Sequence, residues 1–263
     1  MGTILSIEAK KIEETSGPSN DAPIVPNYSA SYKRVVQRLM KLHPLDEAMS
    51  LSRGGEMHFY AALENLILQR AGLKEGHMLI DVGCGPGGLS GVVSASRYLG
   101  TDIVQEIIDY ARERCKRPNY EFTLVDEIQI PAPDQCADFV CFFSVFTHIL
   151  HEDIYRYLRE CMRVLKSGGK VVFSFLEFQI PCHWPIFENM IKGRDRKWSR
   201  EHTQFISRDF IEVCARHLGF EVEDVFDGDK PQLIIEKPLT RKDGTVMQGP
   251  TEIGQSVCVL RKP

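Results

Sequence analysis

The sequence predicts an α/β fold with helices on both faces of a mostly parallel sheet. Short apolar runs of strand length alternate along the chain with segments of helical periodicity. The first of these runs, residues 78–82, leads into the glycine cluster of residues 83–88, and a segment that can be helical follows. Strand, glycine turn and helix form the start of a βαβ unit. We therefore expect a ligand site at the carboxyl ends of the strands.

Each predicted element follows from its local pattern. Apolar runs predict strands at residues 78–82, 97–102, 120–125, 138–144, 170–177, 220–225 and 256–260. Apolar residues at helical spacing predict helices at residues 89–96, 103–114, 152–166 and 207–218, preceded by helices at 32–49, with a break at Pro44, and at 56–71. No clear helix separates the last two strands, so they can pair antiparallel. The sheet should therefore have seven strands, with the last one antiparallel.

The chain divides into three predicted parts. Residues 1–29 form a flexible N-terminal arm, because their Gly, Pro, Ser and Asn content suits neither helix nor strand. Residues 30–75 form an N-terminal helical cap, and residues 76–263 form the main domain. A lid-like insertion is expected at about residues 178–206, since long connections in compact domains are often functional. Residues 230–254 form either a second cover or a solvated excursion.

The amino-acid composition limits the class of protein and the partners that can be expected. The 263 residues are 43% hydrophobic and 26% charged, with a net charge of −4, as in ordinary globular proteins. No run of five or more Lys or Arg appears, so no nucleic-acid partner is predicted. Eight scattered cysteines without a C-x-x-C pair favour a reduced, cytoplasmic protein. The most apolar stretch, residues 139–150, is too short to span a membrane, so no membrane partner is predicted.

The glycine cluster carries the main functional signal. Gly83, Gly85 and Gly88 complete G-x-G-x-x-G, which by itself also permits a nicotinamide-dependent oxidoreductase. Asp81 precedes it and would repel a pyrophosphate but attract an ammonium group, unless it caps a nearby helix. With Asp81, the segment resembles motif I of the class I S-adenosylmethionine-dependent methyltransferases. The resemblance implies a Rossmann-like domain, a helical cap over the cofactor pocket, and S-adenosylmethionine as cofactor.

The ends of the later strands add further candidate cofactor-binding residues. Asp102 ends the second strand, where a carboxylate can accept hydrogen bonds from both ribose hydroxyls, although each acid alone also suits a solvated loop. The resemblance implies that Asp126 and its neighbours meet the adenine amino group. It also implies that Phe143 and Ser144 flank the adenosine and methionine portions. The complete predicted cofactor-binding set is Asp81, Gly83, Cys84, Gly85, Gly87, Asp102, Ile103, Asp126, Glu127, Phe143 and Ser144.

Methyl transfer to a hydroxyl is helped by a base, and histidine suits neutral pH. His148, after the fourth strand, is the preferred candidate, although it could instead cap the following helix. His183, in the predicted insertion, is the weaker candidate. In the cap, Arg53 or His58 could reach the ligand, and a plain helix connection is an equal alternative.

We therefore expect metal-independent methylation of an oxygen, or as second choice a nitrogen, of a small metabolite such as a saccharide or secondary metabolite. A weaker resemblance to bacterial small-molecule methyltransferases of biosynthetic clusters points the same way. The alternatives are an NAD(P)-dependent oxidoreductase and a non-catalytic module that binds S-adenosylmethionine.

Overall fold

The computed structural model describes residues 28–195 and 203–263. The predicted arm therefore lies almost wholly outside the described residues, as do residues 196–202 of the predicted insertion. The helices are α1 Tyr28–Leu42, α2 Leu45–Leu51, α3 Met57–Arg70, α4 Gly88–Val92, α5 Gln105–Arg114, α6 His151–Val164, α7 Trp184–Asp195 and α8 Arg208–Leu218. The strands are β1 Met78–Val82, β2 Arg97–Asp102, β3 Tyr120–Leu124, β4 Ala137–Phe142, β5 Leu165–Phe175, β6 Glu221–Phe226, β7 Pro231–Thr240, β8 Val246–Glu252 and β9 Ser256–Arg261. None of the helices in these two ranges combines the length and hydropathy needed to cross a membrane.

Seven strands form one sheet in the order β3-β2-β1-β4-β5-β9-β6. All neighbouring pairs are parallel except those of β9, which pairs antiparallel with both β5 and β6. This arrangement confirms the predicted sheet and its antiparallel last strand. The chain moves outward from β1 through β2 to β3 and then returns to β4 on the other side. The strand order therefore reverses between β1 and β4, where a crevice opens at their carboxyl ends.

The central strands are apolar because helices cover both of their faces. Alternate side chains of β1 enter two different cores. Ile80 packs in the core that includes side chains of α6 and α8, whereas Leu79 packs in the core that includes side chains of α3 and α5. A strand buried on both faces needs no polar alternation, which explains the continuous apolar runs in the sequence.

The junction between α6 and β5 differs from the prediction of a helix over residues 152–166 and a strand over residues 170–177. The helix α6 ends at Val164 and β5 begins at once with Leu165, so Gly168 and Gly169 lie inside the strand and do not end the helix. Gly168 donates its backbone N–H to the carbonyl of Lys262 at 2.9 Å, beyond the end of β9. Pairing with distant segments thus extends this strand toward its N-terminus.

Three elements were not predicted at all. The helix α7 occupies part of the predicted insertion, and β7 and β8 form an antiparallel hairpin within residues 230–254. The hairpin contacts the cap: Arg241 Nε donates to Glu56 at 2.9 Å, and Arg70 donates to the Gln232 carbonyl at 2.6 Å. Residues 230–254 therefore pack against the helical cap and do not extend freely into solvent.

An ion pair between the half-buried Arg208 and a buried carboxylate joins the ends of β5, β6, β9 and α8. Glu177 follows β5 and its side chain is only 2% exposed. The Arg208 guanidinium, at the start of α8, donates to both Glu177 oxygens at 2.8 and 2.9 Å. Ser256 of β9 also donates to Glu177, and Arg208 also binds Asp227, which follows β6. This network fixes the carboxyl end of β5 relative to α8, β6 and β9.

We expect Arg208→Met to lower the free energy of unfolding by about 3 kcal/mol, because it leaves a buried carboxylate without its cation. Arg114→Met is the matched control, since its partner Asp46 lies 3.6 Å away and both side chains are well exposed. Its effect should stay below about 1 kcal/mol. Urea denaturation checks both values, and equal effects of the two variants would contradict this account.

Candidate active site

A cavity of about 650 Å³ lies at the carboxyl ends of β1, β2 and β4, beneath the helical cap. Its wall is mostly apolar with a few polar groups, as is typical of sites for small organic ligands. The strand ends, the loops after them and the helices α5 and α6 contribute Val82, Gly83, Gly85, Pro86, Asp102, Ile103, Ile107, Val125, Ile128, Phe143, Ser144, Val145, His148, Ile149, Tyr157 and Ser174. The cap and the outer segments contribute Tyr28, Tyr32, Val35, Leu51, Ser52, Arg53, Gly54, Tyr60, Leu63, Glu64, Ile67, Ile186, Ile253, Gly254 and Gln255.

The glycine turn brings bare backbone to the cavity. Gly83, Gly85 and Gly87 have φ values of +72°, +56° and +79°, in the left-handed region that other residues rarely adopt. A Cβ atom on Gly83 would lie only 2.4 Å from Val145 Cγ2, because the loop after β4 passes directly over the turn. Of the predicted residues in the turn, Gly83 and Gly85 line the cavity, whereas Cys84 and Gly87 do not.

Asp102 lies on the cavity wall at the end of β2. One of its oxygens accepts the Gly85 N–H at 3.1 Å and the other accepts the Val104 N–H at 3.0 Å. Burial raises the pKa of Asp102 to about 6, and these backbone N–H groups oppose that rise. Each carboxylate oxygen has a second lone pair, so the group can accept further hydrogen bonds from a ligand.

Asp81 does not line the cavity. It is 4% exposed, and its carboxylate accepts a hydrogen bond from the Tyr98 hydroxyl at 2.6 Å and a weaker one from the Cys141 thiol at 3.5 Å. Burial raises the pKa of Asp81, against the effect of the Tyr98 hydrogen bond. The residue lies within β1, so its side chain stands on a face of the sheet and not at its edge. It neither reaches the cavity nor caps a helix.

The predicted acids after β3 also lie outside the cavity wall. Asp126 and Glu127 are exposed, whereas Val125 and Ile128 on either side of them line the cavity. The structure therefore presents an apolar surface here, together with Ile103, where the family resemblance implied a carboxylate. The sequence did contain a signal for this apolar surface. Val125 and Ile128 flank two acids that suit solvent, and apolar residues in such a position usually face the protein interior.

Two charged residues of the cap line the cavity. Arg53 lies in the turn between α2 and α3, Glu64 lies on α3, and the Arg53 Nη2 group donates to Glu64 Oε1. Among the described residues, the remaining Arg53 Nη1 and Glu64 Oε2 atoms are buried without a hydrogen-bond partner. Burial raises the pKa of Glu64 to about 7, and Arg53 opposes this rise. His58 is exposed and does not line the cavity.

Glu64 was missed by the sequence analysis. The available signal was an acid placed between Leu63 and Ile67 on the buried face of α3. Such a position is unusual for a carboxylate unless it is paired.

The loop after β4 forms another part of the wall. Ser144 has a φ of +59°, which is strained for a residue other than glycine. Its N–H donates to Ser174 Oγ at 2.8 Å, and its hydroxyl accepts from Gln255 Nε2 at 3.1 Å. On the same loop His148 lines the cavity, and its ring meets that of Tyr32 edge to face at 5.7 Å. Polar groups from β4, β5 and the segment before β9 therefore converge here.

His183 is placed elsewhere. Its side chain is fully buried, with Nδ1 at 3.0 Å from the Glu177 backbone nitrogen and Nε2 at 3.1 Å from the Gly254 carbonyl. It does not line the cavity. The structure therefore does not bring His183 together with His148 at the cavity, and both of its ring nitrogens have backbone partners. The residue anchors the start of α7 to the segment before β9.

Comparison with known proteins agrees with this geometry. A family model described as a methyltransferase domain matches residues 80–173, from β1 to β5. An uncharacterized 37.1 kDa protein of a transposon in Streptomyces fradiae is 30% identical over 150 residues, which cover 55% of this chain and 43% of that protein. The ubiquinone biosynthesis O-methyltransferase of Coxiella burnetii is 26% identical over 168 residues, which cover 60% of this chain and 69% of that enzyme. The chain spans about half the length of several of its curated relatives.

Solved structures show the same fold. A Thermotoga maritima protein described as an S-adenosylmethionine-dependent methyltransferase, and as a possible histamine N-methyltransferase, is similar with a TM-score of 0.58. The two chains are 18% identical, and the match covers 88% of this chain and 100% of the other. These findings favour the methyltransferase prediction over a nicotinamide-dependent oxidoreductase.

The glycine turn gives a test of the geometry. We expect Gly83→Ala to lower the free energy of unfolding by about 1–3 kcal/mol, since it adds both strain at a positive φ and overlap with Val145. Gly91→Ala in α4 is the control of opposite sign, because a Cβ there has no atom within 4 Å. It should stabilise the protein by up to about 1 kcal/mol. Thermal or urea unfolding would refute the turn geometry if Gly83→Ala proved as harmless as the control.

Proposed function

The chain carries a class I S-adenosylmethionine-dependent methyltransferase domain, and from this premise we propose that it methylates an oxygen atom of a small metabolite. A nitrogen acceptor is the second choice. The observation that carries the proposal is the cavity itself. Gly83 and Asp102 form one part of its wall, and Ser144 and His148 form another. These groups lie on the segment that matches the methyltransferase model.

The residues of the cavity fit S-adenosylmethionine. The Asp102 carboxylate has acceptor capacity for ribose hydroxyls, and Ile103, Val125 and Ile128 provide an apolar surface for an adenine ring. The turn at Gly83 allows contact with the backbone at a point that a side chain would fill. When bound, this cofactor supplies a methyl group activated by the positive charge on sulfur.

The protein's contribution to such a transfer is mainly alignment, since the nucleophile must approach the methyl carbon opposite the sulfur. We assign to His148 the role of accepting the proton of the acceptor hydroxyl at a ring nitrogen. Tyr28, Tyr32 and Tyr60 add aromatic surface on the cap side. This surface suits a ring-shaped acceptor, aromatic or saccharide, and keeps water away from the reacting atoms.

The names of similar proteins bear on the acceptor atom. The Coxiella burnetii relative is an O-methyltransferase, which supports oxygen, and the Thermotoga maritima protein is described as a possible N-methyltransferase. His148 favours oxygen, because a neutral amine needs no strong base whereas a hydroxyl benefits from one. We propose that no metal ion takes part in the transfer.

Binding of S-adenosylhomocysteine tests the cofactor assignment. At about 100 times its dissociation constant it should stabilise the folded protein by about 2.7 kcal/mol, which corresponds to a rise in Tm of about 5–10 °C. NAD(H) and NADP(H) should have no effect. The reverse pattern would refute the proposal.

The same assay tests Asp102. Asp102→Asn should weaken binding about ten- to a hundredfold, as expected for losing hydrogen bonds to a charged group. The wild-type affinity should also fall as the pH drops through about 6, because protonated Asp102 is the poorer acceptor, and the variant should lack the part of the pH dependence that Asp102 causes. Asp109→Asn, on the exposed face of α5, is the control and should behave as wild type.

For His148, we expect His148→Gln to lower kcat about a hundredfold or more, with little change in the affinity for S-adenosylhomocysteine. Labelled methyl transfer to a panel of hydroxylated aromatic and saccharide acceptors measures this effect. His151→Gln is the control, since His151 does not line the cavity. A kcat within threefold of wild type would remove His148 as the base.

A further inference from the structure

We propose that Arg53 and Glu64 bind the amino-acid end of S-adenosylmethionine, so that the helical cap recognises this end of the cofactor in place of Asp81. The inference rests on the proposed function and adds to it a specific site for the α-carboxylate and the α-ammonium group. Both side chains line the cavity, and neither belongs to the segment that matches the methyltransferase model.

The position of the pair agrees with this role. Glu64 interacts electrostatically with Asp81 of β1 and with Cys141 of β4, and so lies above the two strands between which the crevice opens. Arg53 lies against the glycine turn, since a Cβ on Gly85 would be 3.3 Å from Arg53 Cδ. Asp102 marks the ribose position on β2, on one side of β1. A nucleoside bound there extends its amino-acid chain over β1 toward β4.

The unsatisfied atoms of the pair match an amino acid. Arg53 Nη1 is a buried donor and Glu64 Oε2 is a buried acceptor, and neither has a hydrogen-bond partner among the described residues. Buried polar atoms of this kind are costly unless a ligand completes them. An α-amino acid presents a carboxylate that accepts from a guanidinium and an ammonium that donates to a carboxylate. Asp81 does not line the cavity, and its two oxygens accept from Tyr98 and Cys141.

The local charge also favours an ammonium group. The charged groups that face Glu64 are Arg53 on the cap and Asp81 on β1, with the Cys141 thiol on β4, and Tyr98 lies beside Asp81. Two carboxylates thus face one guanidinium. Since burial raises the pKa of Glu64 to about 7, the ionised form that accepts from an ammonium becomes populated between pH 6 and 8.

A pair of nucleosides tests the inference. S-adenosylhomocysteine and 5′-methylthioadenosine share the adenosine portion, but only the first has the amino-acid end. Isothermal titration calorimetry should show that Glu64→Gln and Arg53→Gln each weaken S-adenosylhomocysteine about ten- to a hundredfold and change 5′-methylthioadenosine less than twofold. In wild type, the affinity for S-adenosylhomocysteine relative to that for 5′-methylthioadenosine should rise from pH 6 to 8. Ionisation of Asp102 affects both nucleosides alike, so its effect cancels in this ratio. Glu64→Gln should abolish this rise.

Arg70→Gln is the control on α3, since Arg70 contacts the Gln232 carbonyl and the Phe226 ring outside the cavity. Where a single variant does not fold, the double variant of Arg53→Gln with Glu64→Gln leaves no unpaired buried charge, and should show the same selective loss. Equal weakening of both nucleosides, or of neither, would overturn the inference and leave the proposed function intact. A wild-type protein that binds neither nucleoside would overturn the proposed function itself.

Discussion

The ion pair between Arg53 and Glu64 is the interaction on which the shape of the site depends. It holds the turn between α2 and α3 against α3, and the Asp81 carboxylate on β1 attracts the same guanidinium toward the sheet. The cap is therefore held above the glycine turn at a fixed height. Apolar side chains of α3, such as Leu63 and Ile67, pack on the same face of the sheet and hold the cap over the cavity together with this cluster. Burying a charged group is costly unless it is paired, and here Arg53 and Glu64 pair with each other.

The sequence predicted the sheet because its strands carry their signal locally. Strands buried on both faces must be apolar throughout, so β1 and β4 stand out without any knowledge of their partners. The helix α7 and the hairpin β7–β8 carry no such signal. Trp184 and Ile191 of α7 and Ile234 of β7 are exposed, so apolar residues there do not mark an inward face. Their structure depends on tertiary contacts, such as that between Arg241 and Glu56, which no local pattern encodes.

The site was predictable where the backbone alone determines it. Gly83, Gly85 and Asp102 follow from the strand–turn–helix pattern, and all three line the cavity. Successive side chains near a strand end point in opposite directions, so a shift of one residue decides whether a side chain faces the cavity. Asp81 and Asp126 do not line the cavity, whereas their neighbours Val82 and Val125 do. The pairing of Arg53 with Glu64 and the burial of His183 arise from packing between separate elements. Spacing in the sequence therefore predicted the residues that the strand ends contribute to the site, whereas those of the helical cap could be assigned only from the structure.

The position of β9 in the sheet makes one part of the cavity wall rigid. This strand is hydrogen-bonded on both sides, to β5 and β6, and Gln255 immediately precedes it on the cavity wall. Interior strands exchange their amide hydrogens only in large unfolding events, whereas peripheral elements open often. The hairpin β7–β8 pairs only with itself among the described strands. Gln255 is therefore held on the cavity wall by a strand that is hydrogen-bonded on both sides, and the amide hydrogens of β9 should exchange more slowly than those of the hairpin.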